Sequence, residues 1–95
     1  MLIKMQESRK QVEYDAELKS MQPDFIIEEQ GASVTFTAYL NLVFYFKVMP
    51  ELQSTCDIEI PDLHIKGTAI IVQAYPVSDD KKNCLYKVTI HKTKD

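Results

Sequence analysis

Val34-Thr35-Phe36-Thr37-Ala38-Tyr39-Leu40-Asn41-Leu42-Val43-Phe44-Tyr45-Phe46-Lys47-Val48 decides the fold. Val34, Phe36, Ala38, Leu40, Leu42, Phe44, Phe46 and Val48 take one phase of a two-residue period. Thr35, Thr37, Tyr39, Asn41, Val43, Tyr45 and Lys47 take the other. Successive side chains alternate across a strand, so this period predicts β-structure with one apolar face. Fifteen residues at about 3.3 Å each would span about 50 Å, too long for a flat strand in a small domain. The segment is therefore expected to coil around a barrel corner or to break near Asn41.

The same period recurs on both sides. In 11–19, Val12, Tyr14, Ala16 and Leu18 alternate with charged and polar residues. A helical stripe there would bring Asp15 and Lys19 to the core, so a strand is preferred although Ala, Glu, Leu and Lys favour helix locally. Residues 24–30 read as a short separate strand closed by a turn at Gly31. Cys56, Ile58 and Ile60 alternate over 55–60, and Pro61-Asp62 turns the chain. Residues 63–75 are apolar at Leu63 and Ile65, then at Ile70, Ile71 and Val72, with a bulge expected at Gly67. A polar hairpin loop spans 76–83, and Cys84, Tyr86, Val88 and Ile90 point inward from a last strand. Six strands with hairpin-length links and no βαβ rhythm predict an all-β, six-stranded antiparallel β-barrel. The alternative is an α+β fold with an N-terminal helix on an antiparallel sheet. One domain over 1–95 is expected, with 1–10 an arm or short helix, 11–92 the barrel and 93–95 a tail.

Composition narrows the function classes. The chain has 11 Lys+Arg against 14 Asp+Glu, a net charge of −3, and a single arginine, Arg9. An acidic surface with one bidentate guanidinium argues against a nucleic-acid polymer or an anionic membrane as partner. No apolar run approaches the about 18 residues of a membrane span, and the first residues lack a signal-peptide pattern. A cytoplasmic location is expected. Cys56 and Cys84 lie 28 residues apart, and His64 and His91 are isolated. Structural zinc sites need four ligands at short spacing, so no metal or other cofactor is expected. With only two glycines, Gly31 and Gly67, phosphate-binding loops are missing, and no nucleophile–base pairing has a spacing logic. The chain is read as a non-enzyme.

The order of features resembles a PilZ domain. Arg9-Lys10 precedes the 11–19 strand, and Ile26-Ile27-Glu28-Glu29-Gln30-Gly31 falls where that family carries its Asp/Asn-x-Ser-x-x-Gly motif. Asp57-Ile58-Glu59-Ile60-Pro61 resembles its Pro-ended strand, Gly67-Thr68-Ala69-Ile70-Ile71-Val72 its Gly-led strand, and Leu85-Tyr86-Lys87-Val88-Thr89-Ile90 its closing strand. The resemblance implies a six-stranded barrel and, for many members, binding of cyclic di-GMP. Here the second arginine of the family's arm is replaced by Glu13, and Ile26 and Glu28 stand at the Asp/Asn and Ser positions. Each charged hydrogen bond lost costs roughly 1.5–3 kcal/mol, so two losses predict binding weaker by about 10² or more.

Two roles follow. The first is a protein-interaction or adaptor module with degraded cyclic di-GMP motifs, as in bacterial surface motility or signalling. Its contact face would be Tyr39, Val43 and Tyr45, and it would self-associate or bind another protein. The second is a sensor of cyclic di-GMP or another small anion, held by Arg9, Lys10 and the Gly31 turn. An unrelated small β chaperone-like or phage structural protein would show the same alternation.

Overall fold

The computed structural model describes residues 1–52, 55–77 and 85–93. Six strands account for most of them: β1 (Leu2–Glu7), β2 (Lys10–Gln30), β3 (Ser33–Phe46), β4 (Cys56–Ile60), β5 (Ile65–Pro76) and β6 (Tyr86–Thr93). All pairs are antiparallel, and the order β1-β2-β3-β6-β5-β4 closes on itself where β1 meets β4. Closure leaves no outer strand to the ring, which removes the usual route to edge-to-edge aggregation. A 3-10 turn, Pro61–Leu63, links β4 to β5, and His64 ends it in the left-handed region at φ 55°. No described helix is long and apolar enough to cross a membrane.

The ring's interior takes one phase from every strand. Ile3, Met5, Leu42, Phe44, Phe46, Ile60, Val88 and Ile90 are fully buried, joined by Tyr14, Ala16, Ile58, Ala69 and Ile71. Tyr14 stacks on Phe46 with ring centroids 4.9 Å apart, and Phe46 packs beside Phe44 at 6.1 Å. Truncating one such phenylalanine to alanine costs about 3–5 kcal/mol, so these rings anchor the ring's centre.

The strand count matches the sequence reading, but the strands differ. The first residues are neither an arm nor a helix: Leu2–Glu7 is β1, wedged between β2 and β4. Its inward phase is Ile3, Met5 and Glu7, so a carboxylate interrupts the apolar pattern that would have marked it. The two strands expected at 11–19 and 24–30 are one continuous β2. Its pairing with β3 shifts register between Leu18 and Ser20, so Lys19 is an extra residue and the inward phase passes from Leu18 to Met21. β5 shifts between Ile71 and Gln73, whereas Gly67 lies in unbroken register with Ile58. The bulge expected at Gly67 is therefore at Val72. Thr93, expected in a tail, ends β6. Most of the predicted 76–83 loop, Cys84 and residues 94–95 lie outside the described residues.

The β1–β2 turn is a two-residue hairpin in which Ser8 and Arg9 both have positive φ, 42° and 71°. That backbone suits Asn-Gly and strains a side-chain-bearing pair. Arg9→Gly is expected to stabilise the fold by about 1 kcal/mol, raising the unfolding midpoint by about 4–8 °C. A thermal or urea titration checks this.

Candidate functional site

β2 and β3 continue together well past the ring. β1 accompanies β2 only as far as Asp15, and β6 meets β3 only from Tyr39 onward. The pairs from Phe25↔Ala38 to Gln30↔Ser33 therefore form a two-stranded ribbon with no other strand beside it among the described residues. The chain measures 53 × 27 × 24 Å, and the ribbon accounts for its length. At its tip Gly31 has φ 61° and Ala32 does not share the positive sign, the pattern of a glycine-led II′ turn.

Residues directly opposite share a face, so the ribbon has two unlike sides. One presents Phe25, Ile27, Val34, Phe36 and Ala38, with Glu29 at the tip. The other presents Asp24, Ile26, Glu28, Thr35 and Thr37. The apolar side prolongs the ring's interior phase, yet no described residue covers it: Phe25 is 62% exposed, Ile27 59%, Val34 51% and Phe36 65%. An isolated hairpin is marginally stable in water, and a contiguous apolar patch on one marks an interaction surface.

The ribbon's open backbone is better protected than its face. Pro23 has no N–H to offer, and the Phe25 N–H, pointing the same way two residues on, donates to Asp24 Oδ1 at 2.8 Å. Asp24, Glu28 and Glu29 charge the ribbon, and residues 21–38 hold no lysine or arginine. The remaining 11 acids equal the chain's 11 bases, so the net −3 resides on the ribbon.

The residues singled out from sequence fall into two groups. Tyr39, Val43 and Tyr45 do share the outer face of β3, half-buried. Their surface is already engaged: the Tyr39 hydroxyl donates to Asp24 Oδ2 at 3.2 Å and its ring lies 4.3 Å from that of His91, while Lys19 Nζ sits 4.6 Å over the Tyr45 ring. Arg9 and Lys10 stand at the first turn of β2 and Gly31 at its far tip, so all of β2 separates them. The sequence reading did not single out Phe25 and Ile27, and it placed Val34 and Phe36 on the strand's apolar phase, where the ribbon leaves all four exposed. The excess length of the 34–48 alternation was the signal, since a strand too long for its domain can also overhang it.

A shallow hollow of about 550 Å³ opens at the Arg9 end, lined in part by Ser8, Arg9, Glu51, Cys56 and Asp57. Its carboxylates offset the one guanidinium, and Ser8 Oγ donates to Glu51 Oε1. Beneath it Glu7 is buried, its two oxygens 2.8 and 2.7 Å from the Tyr14 hydroxyl. Burial, then this carboxylate, pushes the Tyr14 phenol far up. Burial, then Glu7 and Asp57, likewise raises the Cys56 thiol, so a reactive thiolate is disfavoured. Among the described residues, no three His, Cys, Asp or Glu side chains are grouped to hold a metal ion.

Compared with known proteins, the chain matches no family model, no curated protein and no solved structure.

His91 gives this region a pH dependence. Burial holds its imidazole below the usual range, and the Asp24 carboxylate opposes this in part. A depressed folded pKa means the unfolded chain binds the proton more readily. The contribution is thus present above the ordinary histidine range, about pH 6.5, and is lost as pH falls below it. Stability is expected to decline from about pH 7 to 5, and His91→Gln to flatten that slope. Urea midpoints across this range, with the imidazole titration followed by NMR, check both parts.

Proposed function

We propose that this chain is a non-enzymatic protein-interaction module, an adaptor that uses the β2–β3 ribbon to bind another polypeptide. One observation carries the reading: Phe25, Ile27, Val34 and Phe36 line one side of a projecting ribbon and are each more than half exposed. Two phenylalanines and two β-branched residues, with few side-chain torsions each, offer contact area at little conformational cost. The ribbon's surplus of acids favours a partner with basic groups beside its apolar contact. The PilZ-like resemblance enters this reading through its sequence motifs alone. The degraded nucleotide motifs fit an adaptor better than a sensor.

Small-anion sensing has less support, because Arg9 and Lys10 are a strand's length from Gly31 and Arg9 shares its hollow with Glu51 and Asp57. A titration with cyclic di-GMP followed by amide NMR is expected to leave Arg9, Lys10 and Gly31 unshifted. Concerted shifts at all three would restore the sensor.

The interaction reading is tested by a benzophenone photo-crosslinker placed at position 36 in cells. A discrete adduct is expected that Phe25→Asp abolishes, while a crosslinker at position 75 gives none. Indistinguishable patterns at 36 and 75, or no adduct, would overturn the reading. Both phenylalanines are exposed, so these changes are expected to alter stability by no more than about 0.5 kcal/mol.

A further inference from the structure

The ring's interior phase ends, at the ribbon's base, on a buried cation. Lys92 lies opposite Leu40 on one side and Ala69 on the other and is 6% exposed. Its ammonium donates to the Thr93 carbonyl at 2.9 Å. The ion pairs among the described residues are Met1–Asp15, Lys19–Glu17 and Lys47–Asp15, and none of these includes Lys92. A buried charge without a counter-ion is costly, and an incoming carboxylate would relieve that cost.

The ribbon's apolar side carries such a carboxylate at its other end. From base to tip that side runs through Leu40 and Pro23, Ala38 and Phe25, Phe36 and Ile27, then Val34 and Glu29. Lys92 stands at the first level and Glu29 at the last. They are six residues, about 20 Å, apart along β3. A two-fold axis at the level of Thr37 exchanges the two ends. It lays Phe36 on the partner copy's Ala38, large on small, and brings each Glu29 towards the other copy's Lys92. The lateral offset is two strand spacings, about 10 Å, which a glutamate and a lysine side chain bridge together.

We infer that the polypeptide bound by the ribbon is a second copy of this chain, packed antiparallel and face to face with Glu29 of each copy paired to Lys92 of the other. This rests on the interaction reading above. It is self-complementary, as a two-fold dimer requires: residue i meets j, and j meets i. The blunted edge at Pro23 and Asp24 favours packing by face over strand addition. The four exposed apolar side chains, Ala38 and the adjoining backbone supply about 600 Å² per copy, at the lower bound of specific interfaces.

Sedimentation velocity on the full chain, from micromolar to submillimolar concentration, is expected to show a monomer–dimer equilibrium. Phe36→Asp should abolish it, and Glu29→Lys or Lys92→Glu alone should weaken it by about tenfold or more. An equimolar mixture of the two charge variants should recover the dimer, because both of its pairs are then opposite in sign. Should Lys92→Glu not fold, Phe36→Asp and Glu29→Lys still decide. A wild-type chain monomeric throughout, or a dimer indifferent to both, overturns the inference. The crosslinked adduct separates the two failures: twice the chain's mass agrees with a second copy, another mass retains the interaction reading alone, and no adduct removes both.

Discussion

One extra residue in β2 sets the character of both halves of the molecule. β2 must offer an apolar side to the ring's interior through Tyr14, Ala16 and Leu18, then to the ribbon through Phe25 and Ile27. These sets stand on even and odd numbers. An unbroken strand would turn Gln22, Asp24 and Glu28 to the side of Leu42 and Phe44, because a one-residue slip inverts every side chain beyond it. The bulge at Lys19 absorbs the difference. It also bends and twists the strand, which helps the sheet curl shut while the ribbon runs on. Lys19 itself stays outside, paired to Glu17 at 3.0 Å and lying over Tyr45.

The two ends of the ring carry charges of opposite sign on the interior phase. At the β1–β2 turn the buried charge is Glu7, met within the chain by the Tyr14 hydroxyl. At the ribbon's base it is Lys92, met among the described residues by the Thr93 carbonyl. A carboxylate with a short hydrogen bond belongs to a finished structure. An ammonium that meets no carboxylate among the described residues, beside an exposed apolar side, is the feature on which the inferred pairing with a second copy rests.

Strand type was legible because alternation is a local property. Val12 to Leu18, Val34 to Phe46 and Cys56 to Ile60 each display it without reference to the rest of the fold. Continuity was not. The phase change at Lys19 reads as the end of one strand and the start of another, since a bulge and a loop both break a two-residue period. β1 was hidden for a different reason: Ile3 and Met5 are only two apolar residues, and the third inward position is Glu7, whose burial depends on Tyr14 across the turn. The ribbon's role was hidden because alternation says which residues share a side, not whether that side is covered. Coverage of Phe36 depends on how far β6 runs, and its described residues extend to the level of Tyr39.

The ribbon's composition separates an unfinished surface from a careless one. A hairpin that had only to remain soluble would carry polar residues on both sides, as the side with Asp24, Glu28, Thr35 and Thr37 does. The other side keeps Phe25, Ile27, Val34 and Phe36 in strict alternation, where water favours their loss. At the same time the backbone edge is blunted by Pro23 and by the Asp24 bond to the Phe25 N–H, and the tip is charged by Glu28 and Glu29. These devices oppose indiscriminate strand addition and leave the face alone. Protection of the edge with retention of the face is the arrangement expected where one defined surface must pack on the ribbon and open-ended stacking must not follow.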